Sequence, residues 1–118
     1  MTHTSPWAMA IFLVAALIGA IGQYLYKAGA DAATGTIASY LLNLKLWLGV
    51  VCYVAVMVLF VAGFRAGGSI ATLYPLYATT FIWAQLIATR TEGVPITATN
   101  VVGMVVLVAG MYLMGRKP

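Results

Sequence analysis

Negative charge is almost missing from this chain: Asp31 and Glu92 are the only carboxylates in 118 residues. Both read as loop residues near the edges of apolar runs, so neither is expected to be a buried proton carrier. Cysteine occurs once, at Cys52, which excludes an internal disulfide and a thiolate metal cage. Histidine also occurs once, at His3 near the amino terminus, so no metal set is expected. No nucleophile, base and orienting group come together in the sequence, and neither an enzyme nor a cofactor is expected. Charged residues of either sign make up only 7%, against about 25% in ordinary soluble domains.

What fills the chain instead is apolar: 64% hydrophobic residues and a mean hydropathy of +1.02. A water-soluble core cannot use that much apolar surface in so short a chain. Lipid can, because a spanning helix needs about 20 mostly apolar residues to cross about 30 Å of hydrocarbon. The net charge of +4 does not point to nucleic acid. Lys27, Lys45, Arg65, Arg90, Arg116 and Lys117 fall at or near segment ends, where long stems reach toward headgroups, and they form no patch that follows a phosphate backbone. The leading "MTHTSPWAMA" lacks the basic region of a secretory signal, so the first apolar stretch is expected to be retained.

Four spans are predicted, at about 7–26, 44–64, 70–89 and 100–114, in a single membrane domain. Pro6 suits a first helical turn, and "AGADAATGTIASYLLN" has room for a short interfacial helix. Lys45 and Trp47 are interface anchors of the second span, "RAGGS" turns the chain, and Pro95 breaks the last hairpin before a cap at Thr97 or Thr99. Backbone groups in lipid must be satisfied internally, and these runs lack the alternation of barrel strands. The expected fold is therefore an all-α membrane protein with four transmembrane helices. An even number of spans puts Arg65, Arg116 and Lys117 on the side of the termini and Lys27, Lys45 and Arg90 opposite. That balance gives no strong instruction for orientation.

Residues four apart share a helix face. Gly19, Gln23 and Lys27 form one stripe, extended by Ala15, and Tyr74, Tyr77, Phe81 and Gln85 form another. Two such stripes suggest a substrate pathway. Tyr24, Tyr26 and Tyr74 read equally as interface anchors, and Lys27 as a snorkelling cation. Tyr77 and Gln85 lie deeper and are expected to face protein or a wet cavity. Pro75 either loosens the third span or marks its first turn. Gly103 and Gly110, two turns apart, form the candidate dimer seam, with ordinary glycine tolerance in membrane helices as the other explanation.

Three stretches carry a resemblance: "GQYLYKAGA", "YPLYATTFIWAQLIA" and "EGVPITATNVVGMVVLVAGMYLMG". In this order they resemble the four-helix members of the drug/metabolite transporter superfamily, EamA-like or small multidrug resistance-like. The small multidrug resistance pattern has an essential buried glutamate in its first span, and the corresponding position here is Gly19. Without it, proton coupling and cation binding lose their counter-charge. "GQ" followed by Lys27, "YP" followed by "FIWAQLIA", and Glu92 before a proline-containing turn are closer to the aminoarabinose–undecaprenyl-phosphate flippase subunits. That resemblance implies an integral protein of the prokaryotic cytoplasmic (inner) membrane, a homodimer or a heterodimer with a similar subunit. It also implies transfer of a polyprenyl-phosphate-linked sugar or related lipid between leaflets. Gln23 would then be a neutral hydrogen-bond partner and Lys27 a phosphate contact at the rim. Export of small cations or metabolites, and a non-transporting scaffold subunit, are the two other expectations.

Overall fold

The computed structural model describes residues 4–116. His3 and Lys117, the lone histidine and one of the end cations, lie outside the described residues. Every regular element described is helical, and four helical stretches are long and apolar enough to cross a membrane. The expected all-α architecture with four spans is therefore the one observed.

The first helix, α1, runs Pro6–Ala32. Ser5 starts it by accepting, at Oγ, hydrogen bonds from the N–H groups of Trp7 and Ala8 at 3.1 and 3.4 Å. Those are two of the donors that a helix start leaves unpaired. The helix passes the expected stop near residue 26 because "AGADA" is rich in alanine, the best helix former. Lys27 and Asp31 also pair one turn apart, with Nζ 2.6 Å from a carboxylate oxygen. Asp31 thus belongs to the last turn of α1 and not to a loop. Glu92 likewise closes a helix, and Gly93 follows it in the left-handed conformation (φ 70°) that glycine adopts without a β-carbon clash.

A short helix, α2, covers Ile37–Leu41, capped by Thr36, in the segment expected to hold an interfacial helix. Asn43 then does two jobs. Its Oδ1 accepts from the N–H groups of Lys45 and Leu46, starting α3 (Leu44–Ala66), and its Nδ2 donates to the Gly29 carbonyl at 2.7 Å. The start of α3 is thereby fixed to the end of α1. Gly67 (φ 117°) and Gly68 (φ 152°) make the next turn in conformations that other residues rarely adopt.

The third span, Ile70–Glu92, comes in three pieces: α4 (Ile70–Leu76), a 3₁₀ turn (Tyr77–Thr79) and α5 (Thr80–Glu92). Pro75 lies inside α4, in its last turn and not its first. It has no N–H to give to the preceding turn, and the chain tightens directly after it. The last helix, α6 (Ala98–Gly115), begins two residues before the expected start. Thr97 and Asn100 close a reciprocal capping box there, which decides between the two candidate threonines.

The helices form a slab of 51 × 36 × 17 Å with α1 at its centre. Against α1 pack α3 most extensively and then, to an equal extent, α5 and α4 with the 3₁₀ turn, whereas α6 lies at the edge mainly on α4. Phe12 and Leu73 are fully buried beside Ala8, with Phe60, Phe64 and Tyr77 packed around them. The Phe12 ring stacks on Phe60 at 4.8 Å and meets Phe64 edge-on at 5.0 Å, and Phe60 meets Tyr77 edge-on at 4.9 Å. Such geometries are worth about 0.5–1.5 kcal/mol each beyond the area they cover. Glycines make the α1–α3 seam possible. A β-carbon on Gly22 would come 2.8 Å from the Tyr53 ring, one on Gly49 2.5 Å from Tyr26, and one on Gly63 2.5 Å from Phe12. Each aromatic ring sits in a seat that only glycine leaves open.

Candidate functional site: two grooves flanking the third span

The midpoint of α1 is Gly19, and its missing side chain is filled from two sides. The Tyr77 hydroxyl lies where a β-carbon would be. From α3, Tyr53 donates its hydroxyl hydrogen to the Gly19 carbonyl at 3.1 Å and accepts from Gln23 Nε2 at 2.6 Å. Tyr53 also stacks on Tyr26, 5.3 Å between ring centres. Three spans therefore converge on a neutral hydrogen-bonding cluster near mid-depth. No carboxylate is part of it.

Tyr53 carries this cluster, yet the stripes read from the sequence do not include it. A signal was present. A tyrosine close to the middle of a span is too deep to be an interface anchor, and its hydroxyl must find a protein partner. Phe12 and Phe60 were also missed, because a phenylalanine in an apolar run gives no sign of which neighbour it will stack on.

On one flank of α5 the first stripe opens into a notch of about 220 Å³, where Gln23 and Lys27 of α1 face Thr91 and Glu92 of α5. All four are exposed at its surface. The notch holds one ammonium group, with a carboxylate across it in Glu92 and another beside it in Asp31. The Lys27–Asp31 pair is itself open to the surroundings, with side chains 55% and 64% exposed. A pair of this kind exchanges partners easily, because solvent or a competing anion replaces it at little cost.

On the other flank of α5 the second stripe lines a different space. Tyr74, Tyr77 and Phe81 face Val106, Gly110 and Met111 of α6 across a groove of about 550 Å³. Next to it, Phe81 and Gln85 face Asn100, Gly103 and Leu107 across a further cleft of about 270 Å³. The two stripes thus lie on adjacent flanks of α5 and meet only at Tyr77 over Gly19. Tyr77 and Gln85 are half-buried, while Tyr74 and Phe81 are exposed. Gly103 and Gly110 line the α5–α6 side, and beyond the neighbouring backbone of α6 itself nothing lies within 4 Å of where their β-carbons would be. A side chain at either position would enter open space.

Each of these clefts is open at the surface of the slab. Four helices long and apolar enough to cross a membrane, with a polar notch on one flank of the third span and apolar clefts on the other, define an all-α protein of the integral membrane class. No protein-family model, no curated protein and no solved structure matches the chain.

Proposed function

We propose that this protein is a membrane transporter that moves a polyprenyl-phosphate-linked sugar, or a related lipid with a phosphate-bearing headgroup, between the leaflets of a prokaryotic cytoplasmic membrane. The observation that carries the reading is the notch between α1 and α5, lined by Gln23, Lys27, Thr91 and Glu92 and open at the protein surface. A headgroup tethered to a chain in the bilayer enters such a notch from the side. Its phosphate takes Lys27 in exchange for Asp31, and its hydroxyls meet the Gln23 amide and the Glu92 carboxylate. Farther in, the cluster at Gly19 offers neutral donors and acceptors and no counter-charge for a free cation, which favours lipid-borne cargo over small cations. A second copy, or a similar subunit, laid against the slab encloses the path, and rocking of one helix group against another moves the opening between leaflets.

Reconstituted protein is expected to accelerate transfer of a labelled polyprenyl-phosphate sugar across vesicle membranes. Lys27→Ala should slow it about tenfold, the rate equivalent of losing one charge-assisted contact of about 1.4 kcal/mol. If no polyprenyl-phosphate carrier is accelerated while quaternary ammonium compounds are transported, the small-cation reading replaces this one. If neither is transported and one stoichiometric partner co-purifies, the scaffold reading does.

A further inference from the structure

Gln23 is held from behind by a residue that does not line the notch. That residue is Tyr53 of α3. Its ring stacks on Tyr26 and fills the seat that Gly22 leaves open, which locks the phenol in place against α1. A phenol hydroxyl has one hydrogen to give. The Gly19 carbonyl, 3.1 Å away, can only accept, and it takes that hydrogen. What the hydroxyl offers Gln23 at 2.6 Å is therefore a lone pair, and the amide meets it with an N–H. With its nitrogen turned toward α3, the amide leaves Oε1 at its other end. That oxygen accepts no side-chain hydrogen bond from any described residue.

Other polar groups of the notch have the same bias. Thr91 donates its hydroxyl hydrogen to the Ile87 carbonyl one turn back, at 2.8 Å, and has only lone pairs left to present. Glu92 is a carboxylate that makes no ion pair among the described residues. The one cation, Lys27, is bonded to both oxygens of Asp31, at 2.9 and 2.6 Å. Gln23, Thr91 and Glu92 thus bring unclaimed oxygen acceptors to one small notch. A ligand that supplies donors satisfies them, and one that lacks donors leaves them unpaired. At Gln23 the matching donor is uncharged, since an amide oxygen supplies no counter-charge for a cation.

We infer that the notch selects its ligand through a hydroxyl group that donates to Gln23 Oε1, and that Tyr53 is the positioning residue that holds the amide this way round. The inference rests on the notch being the headgroup site proposed above. It adds what is recognised there: a polyhydroxylated headgroup, read by its donors as well as by its phosphate. Reversing the amide would turn N–H groups into the notch and favour an acceptor-rich ligand instead. Tyr53 sets specificity without touching the ligand.

The test uses the intact chain in vesicles of phosphatidylethanolamine and phosphatidylglycerol. The probes are a polyprenyl phosphate carrying glucose and a set of the same lipid in which one glucose hydroxyl at a time is replaced by fluorine, which removes the donor at little change in size. Wild-type protein should transfer at least one fluorinated lipid with kcat/KM about fivefold below that of the parent, the weight of one hydrogen bond. Tyr53→Phe and Gln23→Leu should each bring that ratio close to one. Gln23→Glu, which keeps an acceptor of the same shape, should retain it. A purely structural role for Tyr53 slows every headgroup alike and leaves the ratio at its wild-type value. That result, or a wild-type protein that does not discriminate, overturns the inference.

A second readout needs no transfer. Gln23 and Gln85 are the only glutamines in the chain, so protein labelled with 13C,15N-glutamine gives two side-chain amides by magnetic resonance, assigned with Gln23→Leu. The Gln23 amide should exchange its hydrogens severalfold more slowly in wild-type protein than in Tyr53→Phe, and its Cδ resonance should move when the glucosyl lipid is added. Equal exchange in the two proteins, or a resonance that the glucosyl lipid does not move, overturns the inference whatever is transferred. Slow exchange and a moving resonance without transfer of any lipid keep it and remove the transport reading.

Discussion

Two sets of glycines in this protein lie on helices of similar apolar character and have opposite surroundings. In the α1–α3 seam, Gly22, Gly29, Gly49 and Gly63 are each pressed by a side chain from the other helix, at 2.5–2.8 Å from where a β-carbon would be. In α6, Gly103 and Gly110 have nothing within 4 Å beyond the neighbouring backbone of α6 itself. Lipid supplies no hydrophobic drive for one helix to leave it for another, so helix pairs in a membrane are held by close contact and hydrogen bonds. By that criterion α1 and α3 form the rigid half of the protein. The helix α6 is the loosely attached half, held mainly at its α4 end. A glycine in a membrane helix therefore signals room, and only the neighbour determines whether that room is filled.

The largest expected effect that would break this contrast comes from filling the occupied seats. Gly22→Leu and Gly49→Leu force the Tyr53 and Tyr26 rings aside where backbone also approaches, the Gly22 carbonyl lying 3.3 Å from the Gly49 seat. Overpacking of this kind costs about 1–3 kcal/mol, and the upper end is expected because both ring and backbone must move. Reversible unfolding in mixed micelles measures it, and a cost below about 0.5 kcal/mol would mean the seam is not tight.

Tyr53→Phe comes next. It removes the bonds to Gln23 and to the Gly19 carbonyl while keeping the stack on Tyr26. A loss of about 0.6–1.7 kcal/mol is expected, from the average to the largest value for interhelical hydrogen bonds in membranes. Gln23→Leu in the same background should then add little, since its partner is already gone.

The smallest effect has the opposite sign. Gly103→Ala and Gly110→Ala place a methyl group in open space and remove glycine's backbone entropy cost, so each should stabilise α6 by up to about 0.5–1 kcal/mol. Destabilisation at either position in the lone chain would show that α6 packs more closely than the structure has it.

Much of the fold is legible in the sequence because lipid leaves few alternatives. Runs such as 44–64 must be helices, since unpaired backbone groups have no water to turn to. The ends are less legible. Asp31 and Glu92 read as loop residues because charge is expensive in a bilayer. The structure keeps both helical, one by pairing with Lys27 and the other by ending its helix at Gly93. The candidate site divides in the same way. Spacing alone puts Gln23 and Lys27 on one face and Phe81 and Gln85 on another. It does not indicate that these faces line separate grooves, because that depends on how α5 is rotated between α1 and α6. Nor does it identify Tyr53, whose role exists only across a helix–helix contact.

Composition and hydropathy by themselves determined the solvent, the number of spans and the near absence of negative charge, because those follow from summing transfer energies along the chain. Tertiary structure decided which glycines are seats and which are open floor, that a phenol covers Gly19, and that the third span separates a polar notch from an apolar groove. These depend on distances between residues far apart in sequence, and helical periodicity carries information only along a single helix.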